Sequence, residues 1–306
     1  MRDRPKIPEA MKRSIRKRCH FGCVVCGKPI YEYHHMNGFR PDIGHLEEEI
    51  TLLCDTCHRK ATNRIFSRDE IVRANDNPHN RTTGKSTPDT VWMHPGSSVQ
   101  VRLGENLVEF VDAPLAAALV IDGNPICALE REGDHSLLNL SICDDHDQPI
   151  VTVRKSELVY RTADVDDVDH QGGSVTIRRS GRIIFSARFR PPEFTIMECE
   201  AWWNGVSVEV KEQRLHLNGG LIKVSRDGGG RPAAALDLRF GNGIKIGNSA
   251  RGAGFLVGRN GGGWAAGLIA SAPNRSIFLL GAESPTLVPE HMVPVGGFYR
   301  PRDQDA

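Results

Sequence analysis

The chain has 306 residues, 39% hydrophobic and 25% charged, with a formal net charge of +1. That length suits roughly two domains, and no stretch approaches the roughly 18–20 consecutive apolar residues of a membrane span. Charge is unevenly spread: residues 1–85 carry 17 Lys and Arg against 11 Asp and Glu, a balance of +6, and the remainder carries 22 against 27, a balance of −5. A basic front and an acidic back point to different partners for the two parts.

The first residues, Met-Arg-Asp-Arg-Pro-Lys, contain no apolar core of a secretory signal, so a cytoplasmic location with reduced cysteines is expected. Residues 7–19 read as a helix. Pro8 suits the first helical position, and Met11, Ile15 and Cys19 recur at four-residue spacing. Lys12, Arg13, Arg16, Lys17 and Arg18 cover much of the remaining helix surface, a face suited to phosphates. Cys19 fits the apolar stripe and is expected to be a packed core thiol.

Two C-x-x-C pairs follow, Cys23-Val-Val-Cys26 and Cys54-Asp-Thr-Cys57, at the separation of a structural zinc site. Four thiolates close a tetrahedron, so such a zinc holds the fold and does no chemistry. Between the pairs, Ile30–His35 reads as a strand ending in His34-His35, and Ile50–Leu53 as a short apolar strand. Cys57-His58-Arg59-Lys60-Ala61-Thr62 suits the first turns of a helix. Ser67 and Glu70 offer a capping box for a further helix from 68 to about 75. Histidines left over beside a zinc-closed site suggest a second, catalytic metal.

Residues 78–90 are polar, with Pro, Asn, Thr, Ser and Gly, and read as a linker between a domain at 1–77 and another at 91–306. From about 91 onward short alternating runs such as Ser98–Leu103, Val175–Arg178 and Val206–Val210 are separated by turns. Turn dipeptides include Asp122-Gly123, Ser180-Gly181, Asn204-Gly205, Asn218-Gly219, Asn242-Gly243 and Asn260-Gly261. An all-β domain is expected, a sandwich or barrel first and a β-solenoid second. Asp144-Asp145-His146-Asp147 resembles a metal loop in composition, but its place between two strand runs favours an acidic hairpin turn. Of Trp202 and Trp203, at most one is expected to be exposed. Lys85 sits in Thr83-Gly-Lys-Ser86, which lacks the first glycine of a P-loop because residue 79 is His.

The order C-x-x-C, strand ending in His-His, apolar strand, C-x-x-C-His resembles the zinc-bound HNH endonucleases, over roughly residues 8–75. The resemblance implies a zinc-stapled α+β domain of the ββα-metal fold. It implies that His35 is the general base and that His34 and His58 hold a catalytic Mg²⁺ or Mn²⁺. It further implies hydrolysis of DNA phosphodiesters to 5′-phosphate and 3′-hydroxyl ends. The family's Asn lies five residues before the third cysteine, and that position here is Glu49. Glu49, His45 and Asn37 are the residues open for orienting His35. His34 and His35 point to opposite faces in a regular strand, so a bend at its end is needed if both serve one site.

The expected activity is therefore a metal-dependent endonuclease, with DNA as substrate and RNA left open. Arg13, Arg16, Lys17, Arg18, Arg40, Arg59, Lys60 and Arg64 are the expected backbone contacts. The acidic β-rich part is expected to bind a protein or small ligand, or a second copy of the chain. At the level of architecture this suits a prokaryotic restriction or anti-phage effector, with the β-rich part regulating the nuclease. The rival expectation is a non-catalytic, zinc-dependent nucleic-acid-binding or regulatory protein.

Overall fold

The computed structural model describes residues 5–104, 106–111, 115–121, 124–203, 206–217, 220–222, 242–246, 256–257, 292–295 and 298–301. The chain divides into two compact units, Met1–Asp89 with Leu158–Arg182, and Thr90–Glu157 with Ile183–Ala306. No helix among the described residues is long and apolar enough to cross a membrane.

In the first unit, α1 (Glu9–Arg18) starts after Pro8, which is the N-cap rather than the first helical residue. Ile15 and Cys19 from its apolar stripe are fully buried. The antiparallel pair β1 (Glu32–His35) and β2 (Ile50–Leu53) follows, in the register His34 to Thr51 and His35 to Ile50. All four residues of β2 are buried, because α1 and the next helix, α2 (Asp55–Thr62), both pack on it. The Ser67–Glu70 capping box forms as expected and starts α3 (Arg68–Asp76).

The segment expected to be a linker is built into this unit instead. It contains α4 (His79–Thr83) and a short β3 (Asp89–Thr90). The backbone N–H of His79 donates to Val24 O at 3.0 Å, and the Thr87 hydroxyl donates to Cys26 O at 2.6 Å. Asn80 and Ser86 are both 1% exposed. Polarity in this stretch reflects hydrogen bonding to the first cysteine turn, which composition cannot distinguish from solvation. Gly27 explains the tight fit: its φ is +77°, and a Cβ there would lie 2.4 Å from Asn80 Oδ1.

A second departure from the expected boundary is the return of residues 158–182 to the first unit. Their hairpin, made of β11 (Asp167–Gln171) and β12 (Ser174–Arg179), follows six strands of the second unit and β10 (Glu157–Tyr160).

The second unit begins with β4 (Ser98–Leu103), β5 (Asn106–Val111), β6 (Leu115–Ile121), β7 (Asn124–Glu132), β8 (His135–Cys143) and β9 (Pro149–Arg154). It resumes with β13 (Arg182–Arg190), β14 (Glu193–Trp203), β15 (Val206–Lys211), β16 (Arg214–Leu217) and β17 (Gly220–Ile222). Consecutive strands pair antiparallel in a large curled sheet, with β14 also parallel to β4. Strict alternation of buried and part-exposed residues along β4 is the period-two pattern of a one-sided strand. Val101, Leu140, Val151, Phe185 and Phe194 are at most 1% exposed and form much of this core.

The turn signals met mixed outcomes. Ser180-Gly181 has positive φ at both residues, as a type I′ turn requires. Asn242-Gly243 instead opens a strand, Asn242–Ile246. Asp122-Gly123, Asn204-Gly205, Asn218-Gly219 and Asn260-Gly261 lie outside the described residues.

Candidate metal and histidine centre

The four cysteines predicted from spacing come together. One sulfur from each of Cys23, Cys26, Cys54 and Cys57 lies within 4.8 Å of the others. Cys26 Sγ is 3.6 Å from Cys54 Sγ and 3.8 Å from Cys57 Sγ. A tetrahedral ion with metal–sulfur bonds of ~2.3 Å places its sulfurs about 3.8 Å apart, so the donor set fits such an ion. Two backbone features create the cluster. The first pair sits in a turn where Gly27 N donates to Cys23 O at 2.8 Å and Val24 N to Leu52 O at 3.0 Å. The second pair is the N-terminus of α2, where the Cys54 sulfur accepts from Cys57 N at 3.4 Å. Hydrogen bonds from Cys23 and Cys26 push the Cys54 thiol down, the direction that favours a thiolate ligand, while those two thiols are pushed up. Cys19, as expected, is not a ligand: it is fully buried, 3.7 Å from the Thr51 hydroxyl.

Next to this cluster, β1 and α2 bring His34 and His58 together. Their ring centroids are 4.9 Å apart and the planes are nearly perpendicular, at 88°. Glu32, two residues earlier on β1, places a carboxylate oxygen 3.7 Å from His58 Nδ1. Glu32 and His34 therefore share the strand face that meets α2, as the alternation of a strand dictates. Burial, then the neighbouring His58, pushes His34 down to about 4, which keeps its ring neutral and its lone pair available near pH 7. Among the described residues, Glu32, His34 and His58 are not a group whose ligating atoms all lie within 4.8 Å of one another.

β1 pairs regularly through His35, opposite Ile50, so the bend expected to turn His34 and His35 to one face is not seen within the strand, and His35 has other neighbours. It is 8% exposed, and its Nε2 lies 3.0 Å from His45 Nδ1. The Phe39 ring stands edge-on to it at 5.5 Å. Glu49, at the position of the family's Asn, is committed elsewhere. Both its carboxylate oxygens accept from Arg40 Nη2 at 2.7 Å, and a hydrogen bond from Asn37, then Arg40, holds its carboxyl below the ordinary range. Glu49 ties the loop to itself, while His45 is hydrogen-bonded to His35.

The expected basic surface is only partly available. Arg16 is 3% exposed and makes a bidentate pair with Asp167, at 2.7 and 2.9 Å. It also donates to the Tyr33 hydroxyl at 3.0 Å and Asp169 at 3.2 Å. Burial is the largest influence and works against its charge, but the hydrogen bond to Asp167 together with Tyr31 and Tyr33 outweighs it and raises the guanidinium's pKa. Arg16 is thus a structural residue rather than an exposed phosphate ligand. Sequence reading missed this because Asp167 is 151 residues away. Arg18 donates to the Glu47 and Ile50 carbonyls, and Arg13 lies 3.8 Å from Asp166. Lys17, Arg59, Lys60 and Arg64 remain exposed, with the Lys60 ammonium 5.4 Å from the centre of the Phe66 ring.

Two other sequence features lie in the second unit. Asp144, Asp145 and His146 lie within metal-ligating reach of one another. Asp144 Oδ1 accepts from the backbone N–H groups of His146 at 3.0 Å and Gln148 at 2.9 Å, which makes the segment a hairpin turn. Trp203 is 8% exposed and Trp202 half-buried. Both line an apolar hollow of about 390 Å³, counting its open mouth, together with Cys127, Leu140, Cys199 and Val208.

Comparison of the chain with family models, with curated proteins and with solved structures gave no match.

Proposed function

We propose that the first unit is a zinc-stapled ββα-metal endonuclease of the HNH type, hydrolysing nucleic-acid phosphodiesters. The observation that carries this reading is the meeting of His34 and His58, from a strand and a helix, beside a four-cysteine cluster. Zinc is the ion that four thiolates in a tetrahedral arrangement suit best, and it is structural because no ligand position is left open. His34 and His58 would hold a divalent Mg²⁺ or Mn²⁺. When bound, that cation supplies positive charge to the phosphate and the leaving oxygen. His35, the next residue on β1, takes the proton of the attacking water. Lys17, Arg59, Lys60 and Arg64 supply exposed positive charge for the phosphate backbone, which gives affinity without sequence choice.

Plasmid cleavage with Mg²⁺ or Mn²⁺ tests the reading, with wild type and His35→Ala compared at equal zinc content. Loss of the general base is expected to lower the rate roughly 100- to 10,000-fold. Equal cleavage by a folded, zinc-loaded variant would remove His35 from the reaction. The rival, a zinc-dependent nucleic-acid-binding module without catalysis, draws on the Arg40–Glu49 pair at the family's Asn position. It predicts DNA binding that survives His35→Ala and no cleavage by either protein.

A further inference from the structure

The ring of His45 lies between two partners. Its Nε2 is 2.8 Å from the carbonyl oxygen of Pro5, in the segment that precedes α1. Its Nδ1 is 3.0 Å from His35 Nε2. A carbonyl oxygen only accepts, so His45 Nε2 carries the proton. In the neutral ring Nδ1 then holds the lone pair and accepts from His35 Nε2–H. The neutral His35 ring consequently carries its own lone pair on Nδ1. One backbone carbonyl thus sets the tautomer of two histidines in series.

Packing restrains the same pair. The Phe39 ring lies 5.5 Å from His35 at 82°, and 5.2 Å from His45 at 42°. Rotation of either imidazole about its Cβ–Cγ bond would break the hydrogen bond and disturb these contacts.

We infer that His45 is the positioning residue for His35, and that the segment around Pro5 fixes it from behind. The inference rests on the nuclease reading. His45 replaces the family's Asn in function, while Glu49 in that Asn's sequence position is engaged by Arg40 and Asn37. His45 acts only through the orientation and tautomer of His35 and touches no reacting atom.

The test uses the full chain as wild type, His35→Ala, His45→Ala and His45→Asn, each checked for zinc content. Cleavage rates are measured alongside side-chain nitrogen spectra of ¹⁵N-histidine-labelled protein. His45→Ala is expected to lower kcat roughly 10- to 100-fold, as losses of orienting partners do, with little change in KM. His45→Asn keeps an acceptor near the position of Nδ1 and should restore most of that loss. The spectra should show His35 with its proton on Nε2 in wild type, and a tautomer mixture in His45→Ala. Cleavage lost in His35→Ala but unchanged in His45→Ala overturns the positioning role and leaves the nuclease reading standing. Equal damage in His45→Asn and His45→Ala also overturns it, since packing alone would then explain the loss. Cleavage unaffected by His35→Ala removes His35 from the reaction and overturns the role of His45 with it, and cleavage absent from wild type overturns the nuclease reading as well.

Discussion

The two units reach stability by different routes. The first has a small core around Ile15, Ile50, Leu52 and Leu53, and depends on groups that must be paired: four thiols in one cluster and a buried arginine among carboxylates. The second has many fully buried aliphatic and aromatic side chains on alternating strands. Non-directional burial tolerates local change, because each residue contributes roughly 1.5–3 kcal/mol by itself. Paired charges and shared ligands do not, because removing one partner leaves another buried without compensation.

Removal of the zinc proposed for the four-cysteine cluster should separate the units most sharply. Structural zinc in small domains contributes on the order of 10–16 kcal/mol at pH 7. Chelation, or Cys54→Ser, is therefore expected to abolish zinc content and unfold the first unit. The β signal of the second unit, followed by circular dichroism, should largely survive. Simultaneous loss of both would show that the contrast is wrong.

Breaking the buried ion pair comes next. Asp167→Ala leaves the Arg16 guanidinium buried, with Tyr33 and Asp169 as remaining partners. The expected loss is about 3–5 kcal/mol in denaturant unfolding of the first unit. The double variant Arg16→Met, Asp167→Leu should recover much of it, since the unpaired charge is removed as well. A double variant as unstable as the single one would show that the pair has a role beyond mutual compensation.

The smallest effect belongs to the second unit. Glu193 accepts from Arg102 Nε at 2.9 Å, and that hydrogen bond holds its carboxyl below the ordinary 4.5. A depressed carboxylate stabilises the fold above its unfolded pKa, and the contribution fades as pH falls below about 4.5 through the folded value. Both side chains are about 30% exposed, so the pair contributes roughly 0.2–1 kcal/mol. Glu193→Gln should flatten that part of the acid unfolding profile and leave stability at pH 7 within about 1 kcal/mol. A larger loss would mean that the β unit also relies on specific charge pairs.

Sequence by itself determined the features encoded within a few residues or by fixed ligand spacing. The two cysteine pairs, the strand Ile50–Leu53, the Ser67–Glu70 capping box and the alternation along Ser98–Leu103 all depend on local geometry. Tertiary structure decided what depends on distant partners. Arg16 reads as surface charge in its own helix, and only Asp167 makes it a buried residue. Residues 78–90 read as a linker, and only their hydrogen bonds to Val24, Cys26 and Gly27 make them structural. His45 is one of three residues open to orient His35, and only the fold places its ring between His35 and the Pro5 carbonyl. The two-residue turns Lys155-Ser156 and Glu212-Gln213 have positive φ without any glycine or asparagine, because strand pairing on both sides compensates the local cost. Local rules fix the backbone where propensity and spacing agree. Burial and pairing decide which charged or polar side chain becomes structure, because that energy depends on groups a local reading does not contain.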